Sequence, residues 1–202
     1  MYTISMLDER FVLLGVLLNI VGGLDYFIKT VQGKVKPNRV TWFLWAIVPF
    51  IAYISEISQG VGMQSLLTFM VGFNPLIIFI ASFMNKNSAW KISLLDIVCA
   101  LLCLIGLFFW MVTKVGNFAI IFSILADAFA GIPTIIKSYR YPDSEDYKIF
   151  MLGMLSAIIT LLTVKQWNLA NYGFPVYIFS INLLLVMLIR FKMGIFFKSY
   201  LK

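Results

Sequence analysis

Residues 11–28 read FVLLGVLLNIVGGLDYFI, a run in which only Asn19 and Asp25 are strongly polar. As a helix rising 1.5 Å per residue it spans about 27 Å, close to the roughly 30 Å hydrocarbon thickness of a bilayer. Its apolar positions do not alternate, which excludes a barrel strand, and they surround the helix instead of forming one stripe. Six more runs of about 18–22 residues share this character. The full set is Phe11 to Ile28, Val40 to Ser58, Met63 to Met84, Leu94 to Thr113, Asn117 to Ile136, Tyr147 to Val164 and Phe174 to Phe191. Asp8 and Glu9 precede the first run and polar residues interrupt it, so it reads as a mature helix and not a signal peptide.

The connections are short and carry turn or breaker residues such as Gly33, Pro37, Gly60, Gly62, Asn85, Gly116, Pro142 and Gly173, so they leave no room for a soluble domain. Composition agrees: 61% of the 202 residues are hydrophobic and 12% charged, against about 45–50% apolar content in soluble domains. The expected class is an all-α integral membrane protein with seven transmembrane helices. The chain has no histidine, which removes imidazole acid–base chemistry, His-ligated haem and ordinary zinc or copper sites. Cys99 and Cys103 lie four apart in one apolar run and read as small buried hydrophobes. No phosphate cradle, catalytic dyad or metal spacing is present, so neither an enzyme nor a cofactor is expected.

The formal net charge of +7 is distributed by side. With seven spans, the N-terminus and the second, fourth and sixth loops hold Arg10, Lys114 and Lys165. The first, third and fifth loops and the C-terminal tail hold Lys29, Lys34, Lys36, Arg39, Lys86, Lys91, Lys137, Arg140, Lys148, Arg190, Lys192, Lys198 and Lys202. The positive-inside rule then puts the N-terminus outside and the C-terminus in the cytoplasm of a cell membrane. The charge is a topology signal and a contact with anionic headgroups, so nucleic acid is not an expected partner.

Shifting the chain by 108 places lays Asn19-Ile-Val-Gly-Gly-Leu-Asp-Tyr-Phe-Ile-Lys29 on Asp127-Ala-Phe-Ala-Gly-Ile-Pro-Thr-Ile-Ile-Lys137, with Gly23/Gly131, Ile28/Ile136 and Lys29/Lys137 identical. It also lays Asn74 on Asn182. A shift of 105 brings Pro37-Asn38 onto Pro142-Asp143, Trp42 onto Tyr147 and Trp45 onto Phe150. The coincidence of polar positions within apolar runs predicts a duplicated three-helix unit. The first bundle occupies 1–85, a linker helix 86–116, and the second bundle with its basic tail 117–202. An odd three-helix unit needs the extra span if its copy is to run parallel.

A 3+1+3 chain with an outside N-terminus, Pro-plus-polar pairs at the inner ends of the second and sixth helices and an Asn in the third and seventh resembles the SWEET and PQ-loop superfamily. It also resembles the PnuC-type vitamin transporters, which share that architecture. The resemblance implies membrane transport, with the paired asparagines, here Asn74 and Asn182, lining a central substrate site.

Asn19, Asn74, Asp127 and Asn182 all fall near the centres of their runs, where a polar group is costly and marks a functional site. Two readings stand for them: a polar ring that binds substrate, or hydrogen bonds that glue helices together. Asp127 is in addition a candidate proton carrier. Asp25 and Lys29, spaced i,i+4, form a candidate gate ion pair. Asp96 starts the linker helix and is read as its cap or a charge neutralising its N-terminus. Pro49, Pro75 and Pro133 each free a helical carbonyl and are candidate hinges or cavity walls. Trp42 and Trp45, three apart, either stack with Tyr26 on a ring-shaped substrate or form an interfacial aromatic belt. Gly22, Gly23 and Gly131 read as sites of close helix packing, Glu56 as solvated at the outer boundary, and residues 139–148 as a solvated loop. The expected function is alternating-access transport, uniport or proton-coupled, of a small neutral or polar metabolite such as a sugar, a vitamin or nucleoside, or an amino acid. A non-transporting scaffold or sorting receptor is the alternative. The partners to expect are a small-molecule substrate and membrane lipids, with further copies of the chain as an open option.

Overall fold

A computed structural model describes residues 6–88, 90–113 and 116–194. Among these the chain forms seven α-helices and no strand: α1 Val12–Val31, α2 Arg39–Ser58, α3 Ser65–Ala81, α4 Leu94–Thr113, α5 Gly116–Arg140, α6 Tyr147–Leu162 and α7 Leu169–Arg190. Single 3-10 turns occupy Glu9–Phe11, Lys86–Ser88 and Pro142–Ser144. Lys114, Lys198 and Lys202, which enter the charge count, lie outside the described residues.

Short polar side chains set the helix starts. Asn38 accepts hydrogen bonds from the Val40 and Thr41 amides at 3.0 and 3.2 Å, and Asp146 and Asn168 do the same at the starts of α6 and α7. Ser93 and Asp96 form a capping box: Asp96 accepts from the Ser93 amide, and the Ser93 hydroxyl faces the Asp96 amide at 3.4 Å. Asp96 therefore caps the helix it opens, as expected. The α1–α2 turn needs Gly33, whose φ of +72° lies in the left-handed region that L side chains rarely adopt.

Two boundaries depart from expectation. The last helix begins at Leu169, five residues before Phe174, because the Asn168 cap nucleates it upstream; Gly173 and Pro175 lie inside it. The fifth helix runs on past Ile136 to Arg140. Four helical segments, Glu9–Val31, Arg39–Ser58, Ile120–Arg140 and Leu169–Arg190, are long and apolar enough to cross a membrane. By that measure the described residues hold four such spans, below the seven expected. The helices α3 and α6 have 17 and 16 residues, shorter than expected because turn residues take up the ends of their apolar runs.

The outward faces are apolar. Leu13, Leu17, Leu24, Leu101, Leu104, Ile105 and Phe108 are all about half exposed or more, while Asn19, Asn74, Asp127, Lys137 and Glu145 are buried. A protein solvated by water sorts its residues the opposite way, so the helices belong in a membrane. The packed pairs are α1 with α3 and α6, α2 with α3 and α5, α7 with α5 and α6, and α4 with α5, with a lighter contact of α4 on α2. The central cluster, built around Tyr26, Trp42, Trp45, Phe150, Ile181 and Leu185, sits where these pairs meet.

Candidate functional site

A cavity of about 500 Å3, its mouth included, lies between the helices. Every helix but α4 contributes to it: Asn19 from α1, Trp42 and Trp45 from α2, Met70, Val71, Asn74 and Pro75 from α3, Asp127 from α5, Ile149, Phe150 and Gly153 from α6, and Ile178, Ile181 and Asn182 from α7. The four mid-span polar residues, both tryptophans and Pro75 thus share one wall system. The tryptophans are 2% and 7% exposed, which corrects the interfacial-belt reading: they are interior residues. Tyr26 is packed behind Trp42, with ring centroids 4.9 Å apart, and is not a lining residue.

The polar groups are unevenly satisfied. Asn19 donates to the Gly15 carbonyl of its own helix at 3.1 Å, and Asn74 donates to the Asn19 carbonyl at 2.8 Å, tying α3 to α1. Trp45 Nε1 donates to the Asp127 carbonyl at 3.1 Å, and the Tyr177 hydroxyl donates to Asp127 Oδ2 at 2.6 Å. Asp127 Oδ1 and Trp42 Nε1 are buried with no hydrogen-bond partner among the described residues. Asn182 likewise makes none there and is only half-buried. Helix glue is therefore the role of Asn74, while the Asn19 side chain bonds back within α1; Asp127, Trp42 and Asn182, with the Oδ1 atoms of Asn19 and Asn74, keep unused capacity.

Two glycines admit these side chains. A Cβ on Gly23 would overlap the Asn74 carboxamide, and one on Gly153 would lie 2.8 Å from Asn182 Nδ2. Gly131 faces Trp45 and Ile181, each 3.0 Å from where its Cβ would stand. The close-packing reading of Gly23 and Gly131 therefore holds, with cavity residues as the neighbours. Gly23→Ala is expected to force Asn74 off the Asn19 carbonyl and to destabilise the protein by about 1–3 kcal/mol through overpacking. Denaturant unfolding in detergent measures this, and an unchanged midpoint would show that the α1–α3 contact relaxes freely.

The gate pair and two of the three hinge candidates lie outside the lining; Pro75 is in it. Pro49 and Pro133 are buried within α2 and α5 but do not contact the cavity. Lys29 meets Asp25 at 2.5 Å and also bonds Asp146, the cap of α6, so the expected pair is real and joins α1 to a second helix. It belongs to a larger polar cluster, about 10 Å along α1 from Asn19. There Glu145 pairs with Lys137 at 2.5 Å, with side chains 0% and 1% exposed, and accepts from the Tyr26 hydroxyl. Lys137 also donates to the Lys36 carbonyl and lies 5.0 Å from the Trp90 ring centroid. Asn38 donates to Asp96 beside it. The 139–148 segment is therefore not simply solvated: Glu145 is one of the most deeply buried charged groups. Glu56 is corrected in the same way, being 2% exposed and accepting from Thr68 Oγ1 at 2.9 Å, because α3 folds back over that end of α2.

Tyr177, Phe150, Gly153 and the Lys137–Glu145 pair were not legible in sequence. Nothing near Tyr177 indicates a partner 50 positions earlier, and Lys137 and Glu145 look like ordinary loop-flanking charges. No protein-family model matches the chain, no curated protein matches its sequence and no solved structure matches it.

Proposed function

We propose that the protein is a small membrane transporter in which α1–α3 and α5–α7 are two related three-helix units, joined by α4, with a substrate site between them. The observation that carries this reading is the convergence on one cavity of polar side chains from helices far apart in sequence. Each stands at mid-helix, where an unused hydrogen-bonding group is costly unless a ligand meets it. The helix contacts support the repeat. Exchanging α1 with α5, α2 with α6 and α3 with α7 turns the α1–α3 contact into α5–α7, α2–α3 into α6–α7 and α1–α6 into α5–α2, and all of these pairs are packed. Such a pseudo-twofold arrangement about an axis through the cavity is one of the forms used by transporters.

In this reading all seven helices cross the bilayer, with the Lys34, Lys36, Arg39, Arg140 and Lys148 end in the cytoplasm. The Lys137–Glu145–Tyr26 cluster closes that end of the cavity, Lys29 with Asp25 and Asp146 reinforces it, and the units rock about Pro49, Pro75 and Pro133. The substrate is a small polar metabolite. Uniport needs no further group, and proton coupling would use Asp127. A non-transporting scaffold would keep both central asparagines bonded to neighbours, whereas only Asn74 is.

Replacing Asn74 and Asn182 together by leucine is expected to abolish ligand-induced thermal stabilisation in a substrate screen, and uptake into vesicles by the reconstituted protein. A folded double variant that binds and transports like the native chain would overturn the assignment of the cavity as the substrate site.

A further inference from the structure

Resting on the reading of the cavity as a ligand site, we infer that its substrate class is a compact organic ammonium: an amine carried by a largely apolar, preferably flat, body. The cavity has one ionisable lining residue, Asp127, and no lysine or arginine. Asp127 Oδ2 is taken by Tyr177, and Oδ1 has no partner among the described residues. The nearby buried ammonium, that of Lys137, is held by Glu145 and the Lys36 carbonyl and belongs to a separate cluster. A carboxyl group in a low-dielectric site needs a partner that donates hydrogen bonds and balances its charge, and an ammonium N–H is that partner.

The walls fit the same chemistry. Trp42 and Trp45 stand edge to face with centroids 5.6 Å apart, and Phe150 lies 6.4 and 6.5 Å from them. Rings grouped in this way attract a cation through their π faces while accepting an apolar body. Ile178 and Ile181 complete an apolar side.

The remaining lining polar groups without a hydrogen bond among the described residues are Trp42 Nε1, a donor, the Asn182 carboxamide, and the Oδ1 acceptors of Asn19 and Asn74. With Asp127 Oδ1 the free groups are mostly acceptors, which suits the several N–H donors of an ammonium. A polyol can satisfy some of these acceptors but supplies no charge to balance the Asp127 carboxyl. A free carboxylate or phosphate would find no cation to balance it, which disfavours amino acids and nucleotides. An amine on a largely apolar body matches the inventory.

The test uses the full-length protein in a non-ionic detergent, with 2-phenylethylammonium chloride, its neutral isostere 2-phenylethanol, and D-glucose as probes, read by calorimetry and tryptophan fluorescence. The ammonium is expected to bind at least about tenfold more tightly than the alcohol, with no binding of glucose. Asp127→Asn should erase that preference. Gly153→Leu, whose side chain fills the cavity, should abolish binding of both phenyl probes. Equal affinities for ammonium and alcohol in the native chain, abolished by Gly153→Leu, would overturn the ammonium class and leave the cavity as a ligand site. Binding of either phenyl probe that survives Gly153→Leu, or no binding of any probe by folded native protein, would overturn both. A preference for the ammonium that persists in Asp127→Asn would overturn the role given to that carboxyl. The native comparison of the two phenyl probes does not depend on any variant folding.

Discussion

Replacing Glu145 by leucine is expected to destabilise the protein by about 3–5 kcal/mol, since it leaves the Lys137 ammonium buried without its counter-charge. The two side chains are almost wholly enclosed and meet at 2.5 Å, so solvent cannot substitute for the lost carboxylate. The Tyr26 hydroxyl loses its acceptor at the same time. Removing both charges is a different matter: Glu145→Leu combined with Lys137→Met should recover the loss and end between the native stability and about 4 kcal/mol above it, because the desolvation of two ions is then avoided. A double-mutant cycle from denaturant unfolding in detergent supplies all four numbers. A single variant within about 0.5 kcal/mol of the native protein would mean that the pair is not enclosed in the folded state. In the transport reading this variant also loosens the cytoplasmic closure, so uptake and stability should change together.

Truncation of Trp42 to alanine carries the other large effect. Its ring is among the largest fully buried side chains, supports Tyr26 on one side and touches Trp45 and Phe150 on the other. Removing it should cost about 3–5 kcal/mol, as for other large-to-small changes of buried aromatics. It also opens the cavity towards the Tyr26–Glu145 cluster. Trp42→Phe keeps most of the volume and should cost less than half as much, while still removing the unpartnered Nε1 donor. Thermal unfolding of the two variants side by side isolates the contribution of ring volume. Equal losses for alanine and phenylalanine would show that filling this volume is not what Trp42 contributes.

The helical membrane class was legible because continuous apolar runs of the right length have few other solutions, and the mid-span polar residues stood out because lipid tolerates so few of them. That Asn19, Asn74, Asp127 and Asn182 face one another follows from the same physics, since none can face lipid cheaply. Helix ends were less legible. Gly173 reads as a breaker, yet α7 encloses it, because the Asn168 cap starts the helix five residues upstream and a single glycine within a helix is tolerated. The tryptophans were ambiguous because an aromatic near a basic loop suits either an interface or a core, and only the approach of α5 and α6 decides between them. Tyr177, Lys137 and Glu145 were hidden for a simpler reason: their importance lies in partners on other elements, and a single sequence without a contact map carries no sign of such pairs. Glu56 misled because a carboxyl near a helix end is ordinarily wet, whereas here Thr68 of the next helix closes over it.

Cys99 and Cys103 are free thiols, 3% and 0% exposed. The native chain is accordingly a quiet background for maleimide chemistry, and no thiol has to be removed before a reporter is introduced. Lys34→Cys and Gln59→Cys place such reporters on exposed turns flanking opposite ends of α2. Impermeant reagents applied to intact cells can then assign each face of the molecule to a compartment.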